Sequence, residues 1–148
     1  MKWKLLIIIV LLPLLSLSTS CQKESTFSNL ESKLVKMDSG KAQMIGRVVD
    51  VQNNSPLVGI PVRLAQVYRQ GNEGAFVLDL AHSPSAITNH KGEFVITDIS
   101  PAEYLIVIGR PEENNYVIYQ EKGSKPVTII VEGGDIINFG DVKVNYHQ

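Results

Sequence analysis

The sequence predicts an all-β chain, an antiparallel Greek-key β-sandwich of about seven to nine strands. Three observations predict it. Short runs rich in Val, Ile, Tyr and Phe recur from Met44 onward. Clusters of Gly, Pro, Asn and Asp punctuate those runs, as turns do between short strands. No amphipathic helical period of adequate length lies between them, which removes an α/β arrangement. The 148 residues are 44% hydrophobic, enough for the core of one domain.

Residues 1–20 read as an address. Lys2 and Lys4 precede an apolar run from Leu5 to Leu12, and Ser16 to Ser20 form a small polar exit. That is the layout of a secretory signal peptide. Pro13 and the shortness of the run disfavour a spanning helix, which needs ~20 apolar residues. Cys21, the one cysteine, stands where the small residues end. An unpaired thiol is a liability in an oxidising compartment. Its position resembles the lipobox of bacterial lipoproteins: Ser20 fits the pattern, while Ser18 stands where that family has Leu. The resemblance implies lipidation at Cys21, and so a protein exported and lipid-anchored to the bacterial cell membrane or outer membrane, facing the periplasm or the cell surface. Gln22 rather than Asp after the cysteine points to the outer membrane in a two-membrane host, by resemblance to the sorting rule there.

Without residues 1–20 the chain keeps 12 basic and 15 acidic residues, a net charge of −3, and loses Trp3, its sole tryptophan. That balance argues against nucleic acid as a partner, because phosphate neutralisation needs a basic surplus. Residues 21–41 form a tether. Its polar composition suits a flexible spacer, yet Phe27, Leu30, Leu34 and Met37 share the spacing of one helical face, so a short helix is the other reading.

Residues 42–148 form the folded domain. Met44–Val51 is the first strand and Gln52–Pro56 a turn. In Val58–Tyr68, Ile60, Val62 and Leu64 alternate with Pro61 and Arg63, the period of a half-buried strand. Arg69–Gly74 is a polar loop, and Ala75–Leu80 a third run ending in the loop His82–Ser85. Ile87–Thr88 and Glu93–Thr97 flank Asn89–Gly92 and predict a hairpin. Further runs are Tyr104–Ile108, Tyr116–Gln120, Pro126–Val131 and Ile136–Val144.

Ile45–Asp50 followed by Ser55–Leu64 resembles the opening of carboxypeptidase regulatory-like domains, which are transthyretin-like (prealbumin-like) β-sandwiches. Ala86–Ile96 is similar to their small-x-T-x-x-x-G-x-F segment, and Ile99–Leu105 to their L-x-P-G-x-Y segment, with Ala102 in place of the glycine. Val127–Val144 resembles their ending, so the likeness covers about residues 44–145.

Several residues have structural roles that need no family. Gly46 inside a strand suggests a close neighbour or a bulge. Gly92 suits a positive φ. Val62, Leu64, Phe94, Leu105 and Val107 fall at core positions. Tyr104 follows a turn, where its hydroxyl can tie the corner to backbone as in a tyrosine corner.

Residues for catalysis do not gather into a motif. His82, His90 and His147 have no metal-ligand spacing, and no nucleophile elbow, dinucleotide fingerprint or phosphate loop is present. His82 and His90 with Asp79 or Glu93, and Glu132, Asp135 and Asp141 around Gly133–Gly134 and Gly140, are the sets metal binding would draw on, and neither has a recognised spacing. Lys41 with Asn138 or Asn145 is the set an internal isopeptide bond would use. The chain lacks the H-x-H pair of intradiol dioxygenases and the Y-R-G-S ending of hydroxyisourate hydrolases. The expectation is therefore a protein with no catalytic residues, no metal and no cofactor: a membrane-tethered, non-enzymatic binding or scaffolding module of the cell envelope. Its contact loops are Arg69–Gly74 and Ala81–Ser85, since function lies in loops held by a rigid frame. The expected partner is an envelope protein. A carbohydrate-binding module is the alternative, with one of Tyr116 and Tyr119 exposed because they face opposite ways on a strand.

Overall fold

The computed structural model describes residues 40–71, 73–121 and 125–146. Residues 1–20, expected as a signal peptide, Cys21, the expected tether helix and His147 lie outside the described residues. The strands are β1 (Ala42–Asp50), β2 (Pro61–Gln70), β3 (Glu73–Val77), β4 (Ser85–Ile87), β5 (Glu93–Ile99), β6 (Ala102–Arg110), β7 (Asn115–Ile118), β8 (Thr128–Val131) and β9 (Ile136–Val144). A 3-10 turn, Pro111–Glu113, joins β6 to β7.

Two sheets make the β-sandwich. Sheet A has the order β5-β1-β9. Sheet B is built on β2 and β6, and each of its edges consists of two short strands: β3 and β4 beside β2, β7 and β8 beside β6. The chain changes sheet at β1–β2, β4–β5, β5–β6 and β8–β9, so neither sheet is a simple meander.

The core lies between the sheets. Met44 and Val48 of β1, Phe94 and Ile96 of β5 and Val142 of β9 face Val62 and Leu64 of β2 and Ile106 and Ile108 of β6, all buried. Alternation explains this for β2. It fails for β6, whose Tyr104–Ile108 run is apolar throughout and is buried on both faces, the pattern of a strand covered from two sides. Leu105 and Val107 therefore sit in a second cluster with Ala65, on the far side of sheet B from Phe94. All five expected core residues are buried, in two layers rather than one.

Two pairings differ from the sequence pattern. β1 and β9 run parallel, from Gln43↔Ile136 to Asp50↔Val144, while the other ladders among the described residues are antiparallel. Parallel neighbours need a long connection, and here nearly the whole domain supplies it. The predicted hairpin around Asn89–Gly92 is instead a corner between sheets, with β4 paired to β2 and β5 to β1. Thr88 is buried at that corner and laces it to the preceding loop: its Oγ1 accepts Ile60 N–H at 2.9 Å and donates to Leu57 O at 2.7 Å. The glycine there has φ +76, and a Cβ on it would lie 2.5 Å from Val48 O. No helix among the described residues is long and apolar enough to cross a membrane.

Candidate functional site

Two surfaces stand out, on opposite sides of the β2–β3 pair. The first is the outer face of sheet B. Strand register places Ala65 and Val67 of β2, Phe76 of β3, Leu105 and Val107 of β6, and Tyr116 and Ile118 of β7 on it. Leu78, from the loop after β3, packs onto the same cluster. Most antiparallel sandwich sheets are polar on this side, but Phe76 is 45%, Leu80 50% and Tyr116 43% exposed here. Two hollows indent the face, of about 330 Å³ between Leu105 and Pro126 and about 370 Å³ between Leu80 and Tyr116, with Phe76 lining both.

Ion pairs bound this face. Arg69 grips Glu103 through two hydrogen bonds, one of them Nε to Oε2 at 2.7 Å. The Arg69 guanidinium, and then Thr128, hold the Glu103 carboxyl down to about 2. At the other end Arg63 donates to Gly109 O at 3.0 Å and stands 3.7 Å from Glu112. A salt bridge that keeps both partners engaged leaves the apolar strip between them as the surface with unsatisfied affinity.

The second surface is a polar mouth lined by the inner side of β2, the loop after β3, Lys41 and the end of β5. The cavity measures about 500 Å³. Its floor is Tyr104, whose hydroxyl donates to Ser100 O at 3.0 Å, the tyrosine corner expected from sequence. Burial, then the neighbouring Tyr68, raise the Tyr104 phenol above its ordinary pKa. One wall is the loop after β3. Asp79 Oδ1 accepts the N–H groups of Ala81 and His82 at 2.9 and 3.2 Å, and its Oδ2 meets His82 Nδ1 at 2.8 Å. That local turn ends β3 at Val77, short of the run to Leu80 read from sequence. The imidazole and the Ala81 amide hold the Asp79 carboxyl below the usual range. Opposite stand Asp98 and Lys41, whose Nζ donates to Ser100 Oγ at 2.8 Å.

The expected loops do not converge. Arg69–Gly74 is strand rather than loop: Arg69 pairs with Gly74 and Gln70 with Glu73, so β2 turns tightly into β3 at Gly71. Arg69 and Gly74 border the apolar face, whereas His82 and Ser83 border the mouth. His90 lies in the corner turn at the other end of β5 from the mouth, so it does not join His82. Glu93 bonds Asn89 at 2.9 Å. Asp141 is engaged bidentately by Arg47 at 2.8 Å, while Asp135 caps the turn at Glu132 N. Among the described residues no three His, Cys, Asp or Glu side chains come together as a metal site. The hydrogen-bond partner of Lys41 is Ser100, not Asn138 or Asn145. Tyr116 is exposed and Tyr119 is 8% exposed, though β7 ends at Ile118 and Tyr119 lies just past the strand on which both were expected. The sequence reading missed Tyr68 and the outer apolar face. The unbroken Tyr104–Ile108 run was the signal for the face; nothing in the sequence marked Tyr68.

No protein-family model matches the chain, and no curated protein matches it. Among solved structures it is similar to the major pilin subunit of Bacillus cereus (14% identity, TM-score 0.45, 72% of this chain and 30% of that one). It is similar also to a DUF3823 family protein from Bacteroides uniformis (18%, 0.43, 72% and 43%). A third likeness is to the dioxygenase domain of a dioxygenase–carbohydrate-binding fusion from Streptomyces (11%, 0.43, 77% and 85%). The chain thus spans less than half of the pilin and of the Bacteroides protein.

Proposed function

We propose that the protein is a lipoprotein of the bacterial envelope, anchored at Cys21, whose carboxypeptidase regulatory-like sandwich binds an envelope protein and catalyses nothing. The observation that carries the binding reading is the outer face of sheet B. A solvated strip holding Phe76, Leu80 and Tyr116 over a buried Leu105–Val107 cluster is what a protein interface core requires. Aromatic and leucine anchors seated beside hollows supply the affinity, and the Arg69–Glu103 pair at the rim supplies orientation. The non-enzymatic reading is supported by the Asp79–His82 pair: the His82 side chain is 83% exposed, and a charge developing beside it would be stabilised by water rather than by a preorganised, low-dielectric wall.

Crosslinking on intact cells with mass spectrometry tests the binding. A defined partner is expected with the native chain and lost with Phe76→Ser and Leu80→Ser together. Capture of the same partner by that double variant rules out the face. Arg69→Ala is expected to weaken capture, because Arg69 borders the hollow beside Leu105 and pairs with Glu103 at its rim. Intact mass of the membrane fraction tests the anchor, with a chain beginning at acylated Cys21 as the expected species. Turnover of an ester, peptide or glycan by the purified protein overturns the non-enzymatic reading.

A further inference from the structure

We infer that the mouth beside Tyr68 is a binding site for a neutral saccharide, distinct from the apolar face and independent of the protein partner proposed for it. Sugars are bound by an aromatic ring against their C–H face and by planar polar side chains against their hydroxyls, and the mouth holds both. Tyr68 is 54% exposed. It stands on the inner side of β2, register-paired with Ala75, too small to cover the ring. Lining the mouth with it are two aspartates (Asp79 and Asp98), Gln66 and His82. Hydroxyls both donate and accept, so a mixed set of this kind suits them, whereas a purely acidic set would select a cation.

Two features give the set a fixed geometry. Asp79 is pinned by the Ala81 and His82 amides and by the His82 ring, so its carboxylate is presented without a rotamer search. Tyr104, bonded to Ser100 O, makes a rigid floor. The volume of about 500 Å³ is within the ~300–1,000 Å³ of small-ligand sites. Charge selects the ligand class. Among the described residues the lysine of the mouth, Lys41, is engaged with Ser100, and two aspartates line the mouth with it, so phosphate, sulfate and acidic sugars are repelled and neutral ones are not.

The test is a ¹H–¹⁵N titration of the protein with cellobiose, maltose, lactose and N,N′-diacetylchitobiose, with inorganic phosphate as the charged comparison. Saturable shifts are expected at the amides of Tyr68, Asp79 and His82 with at least one sugar and none with phosphate. Tyr68→Ala is expected to weaken that sugar about tenfold or more, and Tyr68→Phe to retain it, because the ring and not the hydroxyl stacks. His90→Ala, at the far end of β5, leaves it unchanged. If none of the four sugars moves those amides, if phosphate saturates them, or if folded Tyr68→Ala binds as the native chain does, the inference fails. Loss of the crosslinked protein partner without loss of these shifts would separate failure at the apolar face from failure here.

Discussion

Phe94 occupies the space that a side chain at Gly46 would need. The two are register partners on β5 and β1, and a Cβ on Gly46 would lie 2.7 Å from Cζ of the Phe94 ring and 3.3 Å from Gly140 O. The close neighbour and the bulge that a strand glycine suggests are both present: the β1–β9 register shifts between Ile45 and Arg47 at this point. Phe94→Ala is expected to cost ~3–5 kcal/mol in chemical denaturation, and Gly46→Ala ~1–3 kcal/mol by overpacking. Because one ring sets both losses, the double variant should show coupling of at least ~0.5 kcal/mol. Strict additivity would mean the ring does not fill that space.

Thr88→Val keeps the shape of the corner and removes its hydroxyl. Ile60 N–H then loses its acceptor and Leu57 O its donor in a buried place. A loss of ~1–3 kcal/mol is expected in urea unfolding, with the slope of the transition unchanged. A loss near zero would mean water enters and replaces the hydroxyl.

Tyr104→Phe removes only the bond to Ser100 O. The expected loss is ~0.5–1.5 kcal/mol, far less than truncating the ring, and amide exchange at the Asp98–Ala102 turn should quicken. Unchanged exchange there would deny the hydroxyl its role in holding the corner.

Glu103 sets a pH dependence. Its folded pKa is depressed from 4.5 to about 2, by Arg69 first and Thr128 second. The stabilisation is therefore complete above about 4.5 and is lost as pH falls through about 2. Denaturation midpoints followed across that window should fall more steeply for the native chain than for Glu103→Gln, and the difference should shrink in high salt, because the pair meets solvent. Equal slopes in both proteins would leave the pair without a thermodynamic role.

Much of the frame was legible in the sequence because single residues carry it. Thr88, Gly92 and Phe94, spaced as T-x-x-x-G-x-F, are respectively the lace at the corner, the positive-φ turn residue and the filler over Gly46. Tyr104 after a turn gave the tyrosine corner, and the Ile136–Val144 run matches β9 in its bounds. Strand partners were not legible. Periodicity says which way a side chain points, not which strand lies beside it, so the β1–β9 parallel pair and the sheet change after Thr88 emerge only in three dimensions. The candidate surfaces were half legible. Residues of Arg69–Gly74 and Ala81–Ser85 do border hollows, the former as the end of a strand pair and not as a loop, while the exposure of Tyr68 depends on the smallness of Ala75 across the ladder, a relation between strands that neither segment carries alone.

The parallel pairing of β1 with β9 has a consequence for how the protein comes into being. Arg47 and Asp141 meet across 94 positions of sequence, so the last strand to emerge is the one that flanks the first. Until it does, one edge of β1 has no ladder partner and Val142 is missing from the core between the sheets. Proteolysis should accordingly clear chains that lack β9 faster than chains that carry it, because the former leave β1 with an open edge.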